Sequence, residues 1–367
     1  MQEDTMSITE ISSHPDLSSL RVGVIYWIQG EGTTISLCRG LEALGCQVIS
    51  FAYNAQLPPG LDVVMANGPY GSLVPLARQL MGCPAVRRPA FVYIMTEQLP
   101  NPDWPEWLRY GLGLIRSRAE QFAFRQQTSG EWRPQPSWRW LTSKGHRFRY
   151  YGDLYWLQRQ GILTVLGIWS RWTVNWLQAR GFDPVWLSMA YRPDRWDDLR
   201  LERDIPVLWL GKTGSTRRGR LLRRVRTDLK ARGVELMVID GVEHPYVFGE
   251  ARTMLLSRTK IVLNLLREKW DDNSQRFALA APRRALIVTE PTPPHTDFIP
   301  GEHLIEARLE RMADAICYYL SHDEERQQIV DRAYQLITRP SDNLVRLLQR
   351  AMIAKQSVMK ETTPWKK

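Results

Sequence analysis

Along most of this chain short apolar runs alternate with longer amphipathic stretches, the pattern of strands threaded through helices. From Arg21 the run RVGVIYWIQ predicts a first strand, followed by a Gly30-Glu31-Gly32 turn and a helix reaching Leu44. Gly45 ends that helix, CQVISF follows as a strand, and Leu61–Ala66 is the next. The stretch Asn67-Gly68-Pro69-Tyr70-Gly71 leads into another helix, and PAFVYIM supplies a fourth strand. Strands separated in this way by helices form parallel sheets covered on both faces. Residues 102–150 interrupt the pattern: Pro, Trp and Arg replace clean periodicity, and a long insertion or surface subdomain is expected.

Alternation resumes with ILTVLGI, a helix carrying Trp172 and Trp176 one turn apart, and PVWLSMA. After Pro206 a second series reads PVLWLG, a helix over 219–232, VELMVID and a helix over 246–257. Two more strands lie at Ile261–Leu265 and Ala285–Val288, and HLIEA with three helices completes the series. The expected fold class is α/β with two Rossmann-like domains, 21–195 and 196–340. Residues 1–20 read as a disordered polar tail, and 341–367 as a C-terminal helix and tail.

The segment from Thr259 to Glu290, TKIVLNLLREKWDDNSQRFALAAPRRALIVTE, carries the most chemistry. It reads as strand, polar loop, short helix and strand. Asp272 or Ser274 can cap the helix, leaving backbone N–H groups turned into the loop, and Arg276 adds a cation in the first turn. Such a helix start attracts anions, and a diphosphate is the natural guest. A second anion-friendly segment, Gly211-Lys212-Thr213-Gly214-Ser215-Thr216-Arg217-Arg218-Gly219, follows PVLWL. Its glycines let N–H groups approach phosphate oxygens, and Lys212 or the arginine pair supplies charge. The Gly-x4-Gly-Lys-Ser/Thr spacing of a P-loop is absent, and a plain turn into a solvated basic helix is the alternative. Both segments follow strands, where ligands of parallel α/β sheets bind.

This arrangement resembles the nucleotide-sugar site of glycosyltransferases with the GT-B architecture, in which two Rossmann-like domains face a cleft. Within them it is similar to the group related to spore-coat CgeB proteins, where an Asn-Ser-x-Arg-Phe helix precedes a small-residue strand. The matching residues are Asn273, Ser274, Arg276 and Phe277, followed by Ala285 through Glu290, and the likeness runs from about Pro206 to Ile337. The resemblance implies transfer of a sugar from a UDP-, GDP- or dTDP-linked donor to a glycan or lipid-linked acceptor. It implies no metal and no further cofactor. Donor binding would fall to Gly211, Lys212, Thr213, Arg217, Asp271, Asn273, Ser274, Arg276 and Glu290, with His244 near the base. Arg276 would also stabilise charge on the leaving group. The family's ribose-binding Glu is replaced by Leu279, so a GT-B-shaped binding or scaffold protein is the second reading. In the N-terminal domain Glu31, in the first turn, and Glu97, just past a buried strand, are the two acids placed to act as general base. A plain exposed or capping role is the alternative for each.

Bulk properties narrow this further. The 367 residues suffice for two domains with their own cores, and no apolar run approaches the length of a membrane span. The start MQEDTMSITEISSHPDLSSL lacks the basic and apolar regions of a secretory signal, and the four cysteines form no CxxC pair. Both favour a cytoplasmic protein with reduced thiols. The net charge of +10 favours an anionic partner. Between Trp104 and Arg149, tryptophans and arginines interleave in a way that suits an anionic membrane surface, a nucleic acid or a carbohydrate. The plainer alternative packs the tryptophans on the sheet and lets the arginines snorkel. A lipid-linked acceptor with peripheral membrane contact is the favoured functional form, and no specific nucleic acid is expected. A basic nucleic-acid-binding protein is the third reading.

Overall fold

A computed structural model of the protein describes residues 17–29, 32–68, 71–135, 145–189, 198–213, 216–271, 275–294 and 296–362. Of the tail expected over residues 1–20, residues 1–16 lie outside them, as do Glu31, Asp272, Asn273 and Ser274, whereas Leu20 is described and buried. The chain divides into two compact units. The first comprises residues up to Ile168, Trp176–Trp186 and those from Asp342 on; the second comprises Trp169–Asn175 and Leu187–Ser341.

The first unit contains β1 (Arg21–Tyr26), α1 (Gly32–Ala43), β2 (Gln47–Ala52), β3 (Val63–Gly68), α2 (Val74–Gly82) and β4 (Ala90–Met95). Next come α3 (Glu106–Ala123), the hairpin of β5 (Phe124–Gln126) and β6 (Trp132–Pro134), and α4 (His146–Arg159). β7 (Leu163–Ile168), α5 (Arg171–Gln178) and β8 (Pro184–Trp186) follow; α5 straddles the boundary of the units. The sheet runs β2-β1-β3-β4-β7-β8 with every pair parallel. All six residues of β4 are buried, as an uninterrupted apolar run in a doubly covered sheet requires.

The described part of residues 102–150, where a long insertion or surface subdomain is expected, is largely helical. α3 and α4 pair closely, and α4 runs on to Arg159. Their crossing point is glycine on glycine: a Cβ on Gly152 would stand 2.0 Å from the Gly113 carbonyl oxygen. The interface is charged rather than apolar, which is why the hydrophobic periodicity failed there. Glu120 accepts from Arg116 at 3.0 Å and from Arg149 at 2.9 Å, and Arg149 also donates to the Gly71 carbonyl at 2.8 Å. Ser117 donates to Asp153 at 2.5 Å, and burial pushes the Asp153 carboxyl up to about 7.

The second unit contains β9 (Ile205–Leu210), α6 (Thr216–Lys230), β10 (Leu236–Ile239), α7 (Gly249–Ser257), β11 (Thr259–Asn264) and α8 (Gln275–Ala280). β12 (Leu286–Thr289), β13 (Ile305–Glu306), α9 (Leu309–Ser321) and α10 (Asp323–Thr338) complete it. Its sheet is again parallel, in the order β10-β9-β11-β12-β13. The core on one face joins Val207, Trp209, Ile261 and Leu263 to α6, α9 and α10; the other face packs Leu208, Val262 and Ile287 against Leu256 and Phe277. α6 starts three residues before the expected helix at 219, and α7 three after the expected 246. The last helix, α11 (Asn343–Thr362), packs on β4 and β7, and Lys355 pairs with Asp62 at 3.2 Å. The C-terminal helix expected over 341–367 thus belongs to the first unit.

Candidate functional site

In the second unit the strand order reverses direction between β9 and β11, so their carboxyl ends form the topological switch point at which such sheets bind ligands. β9 ends at Leu210, and Gly211 follows with φ of +123°. That conformation favours glycine, and a Cβ at this position would also stand 3.1 Å from an Arg276 nitrogen. α6 then begins at Thr216 and buries Arg218, Leu222, Val225 and Leu229, one helical stripe. The same periodicity turns Arg217 away from Arg218.

Arg276, on the first turn of α8, is only 7% exposed. Its Nε donates to the Leu210 carbonyl and its Nη1 to Asn264 Oδ1, both at 2.9 Å. Its guanidinium lies 4.2 Å from the ring centre of the fully buried Trp209. Arg218 reaches the same ring at 5.6 Å, donates to the Leu265 and Lys212 carbonyls at 3.1 and 3.0 Å, and stands 3.9 Å from Asp271. Buried Asp271 accepts from the Arg267 N–H at 3.1 Å, bracing the loop after β11. Burial, reinforced by the Arg218 charge, pushes the Arg276 pKa down to about 9; burial lowers that of Arg218 as well, with Asp271 opposing. Two desolvated guanidinium groups that repel one another favour an anion beside them. The six-residue α8 is too short to supply much of a helix dipole, so the positive field comes from side chains rather than from the helix start.

Arg217 and Glu290, both expected at the donor site, bind each other. Arg217 Nη1 and Nη2 both donate to the Glu290 carboxylate, and Nη1 also donates to the Leu266 carbonyl at 2.8 Å. Glu290 in turn accepts from the Leu266 N–H at 2.8 Å. The pair clamps the backbone after β11 to the end of β12. Lys212 is exposed and Thr213 half-buried, and neither side chain makes a hydrogen bond among the described residues. His244 is exposed beyond β10, with Nδ1 donating to the Val238 carbonyl at 2.8 Å, since a carbonyl can only accept. It makes no hydrogen bond to the Arg276 cluster among the described residues. Leu279, where the resemblance puts a ribose-binding Glu, packs half-buried on the core.

In the first unit Glu97 is half-buried just past β4, close enough for its charge to raise the pKa values of Tyr93 and Tyr150, on which burial acts more strongly. Among the described residues the buried Tyr93 hydroxyl finds no hydrogen-bond partner. Sequence reasoning overlooked Trp209, Asn264 and the burial of Arg218. The helical phase of Arg218, Leu222, Val225 and Leu229 held the signal for Arg218; nothing local marked Asn264. Among the described residues, no group of three His, Cys, Asp or Glu is placed to hold a metal ion, and no helix is long and apolar enough to cross a membrane.

Residues 217–347, which include Arg218, Asn264, Asp271 and Arg276, match the family model described as glycosyl transferase-like. No curated protein sequence matches the chain. Among solved structures, TarM is similar at a TM-score of 0.52 and 7% identity, covering 80% of this chain and 54% of that one. A S. aureus TarM variant in complex with Fondaparinux, alpha-GlcNAc-glycerol and UDP is similar at 0.50 and 8%, covering 80% and 55%. The chain thus spans about half the length of these TarM chains. Sucrose-phosphate synthase from Thermosynechococcus elongatus is similar at 0.51 and 10% identity over 93% of this chain and 100% of its own. At these identities the likeness shows the fold, which is that of the GT-B glycosyltransferases.

Proposed function

We propose that this protein transfers a sugar from a nucleotide-diphosphate sugar to a glycan or lipid-linked acceptor, without a metal. The observation that carries the reading is the buried Arg276–Arg218 pair at the β9/β11 switch point, within the segment similar to glycosyl transferases. In the reaction an acceptor hydroxyl attacks the anomeric carbon, the bond to the diphosphate oxygen breaks, and the hydroxyl proton passes to a base. Arg276, fixed by Leu210, Asn264 and Trp209, meets the charge growing on the departing diphosphate. A preorganised cation in a dry site acts strongly because it does not reorganise during the reaction. Exposed Lys212 is free to close on the outer phosphate oxygens. The Arg217–Glu290 clamp holds the loop after β11 in register, so its contribution is positioning.

Glu97 or Glu31 serves as the base in this proposal, and UDP is the first donor nucleotide to try, because a TarM variant is found in complex with UDP. A cytoplasmic location with peripheral membrane contact belongs to the same reading. Calorimetry with UDP, GDP and dTDP, followed by a donor screen that detects released nucleotide, tests it. Binding of none of the three would overturn it. Binding without turnover would favour the catalytically impaired alternative, which Leu279 in the family's ribose position supports.

A further inference from the structure

α3 is built inside out. Its buried side carries Arg109, Gly113, Arg116, Ser117 and Glu120. Its outward side exposes Trp107 by 73%, Ile115 by 68% and Phe122 by 58%. With Gly111 and Arg118 these fall at successive spacings of three or four residues, so they form one stripe. The inward charges are accounted for by the α4 network of Arg149 and Asp153 and by the Glu106–Arg109 pair. Nothing in that network requires large apolar groups to face outward.

Three large apolar side chains aligned on one exposed helix face mark a surface that meets something other than water. The polar groups around the stripe identify it. Arg118 and Arg125 are exposed, whereas the only acids of α3 are Glu120, which is buried, and Glu106, which is engaged by Arg109, Arg180 and Tyr151. The stripe itself therefore carries a cation and apolar groups with no carboxylate. Ile115 gives a nucleobase no ring to stack on, while the boundary of headgroups and acyl chains accepts aliphatic and aromatic groups alike.

We propose that the Trp107–Ile115–Phe122 face of α3 docks on the surface of an anionic lipid bilayer, lying in the plane of the headgroups. This gives a definite surface to the peripheral membrane contact in the proposed function; the docking itself is argued from the helix and does not depend on transfer chemistry.

The test is sedimentation of the full chain with vesicles of phosphatidylcholine alone and of phosphatidylcholine with about 30% phosphatidylglycerol. The protein is expected to bind the anionic vesicles. Joint replacement Trp107→Ser, Ile115→Ser and Phe122→Ser should lower partitioning at least about tenfold. Arg118→Glu with Arg125→Glu, which leaves the apolar stripe intact, should abolish the preference for phosphatidylglycerol. The proposal is overturned if the native chain ignores anionic vesicles, or if the triple variant binds as well as the native chain. It also falls if the stripe proves to hold two copies of the chain together, seen as a dimer that the triple variant dissociates without any vesicle binding. No nucleotide is present, so failure here leaves the transferase reading untouched, and failure to bind nucleotide leaves this one.

Discussion

Replacing Arg276 by alanine separates a binding cation from a structural brace. The native guanidinium satisfies the Leu210 carbonyl and Asn264 Oδ1. Its loss leaves two buried acceptors without that donor, at about 1–3 kcal/mol each. Against this, burial and Arg218 push its pKa down to about 9, so the charged form is disfavoured by about 5 kcal/mol, which the substitution removes. The two effects nearly cancel, and Arg276→Ala should unfold within about 2 kcal/mol of the native protein. Binding lacks that compensation. A charge-assisted hydrogen bond to a phosphate is worth about 1.5–3 kcal/mol, so UDP affinity should fall about tenfold to a hundredfold. Calorimetry with UDP at pH 7.5, alongside urea unfolding, measures both quantities. Unchanged affinity would remove Arg276 from the site. A large loss of stability with it would reduce the residue to a brace.

The same residue sets a pH dependence. Its folded-state pKa lies below that of the unfolded chain, so the penalty for burying its charge is complete below pH 9. That penalty lifts as pH rises through about 9, while UDP affinity weakens over the same range. Arg276→Ala should lack that step in affinity.

Asp153 behaves in the opposite sense: its carboxyl titrates near 7 in the folded protein against 3.8 ordinarily, so the native state holds the proton longer and loses stability as pH rises from about 4 to 7. Asp153→Asn should remove up to about 3 kcal/mol of that slope between pH 5 and pH 8, read as urea midpoints; a slope that persists refutes the assignment. Gly152→Ala drives a Cβ against the Gly113 carbonyl and should cost about 3 kcal/mol, and a native denaturation midpoint would show that α3 and α4 separate freely. Glu290→Gln weakens the clamp on Arg217 and the Leu266 N–H and should lower stability by about 1–3 kcal/mol together with kcat/KM. Loss of turnover at native stability would instead place Glu290 on the substrate.

The strands were legible because their apolar runs are short, bounded and buried on both faces, as in β4 and β9. The α3–α4 pair was not, because it buries arginine, serine and aspartate and exposes tryptophan, reversing the rule on which periodicity depends. Within the site, Arg276 stood out by its position after a strand and a polar loop. Arg217 and Glu290 looked like independent ligand contacts because 73 residues separate them, and only the fold shows that they meet. Arg218 was hidden by charge: an arginine among arginines reads as solvated unless the helix phase is followed from Thr216.

The return of α11 to the first unit has a consequence for how the protein is made. During synthesis the face of β4 and β7 that α11 covers emerges early and stays bare while some 170 further residues are added. The second unit, nearly continuous from Leu187 to Ser341, is complete before Asn343 appears. It can therefore fold first, while the earlier half of the chain waits for its last helix with apolar sheet exposed. Chaperone demand and premature-stop products should concentrate on that uncovered face.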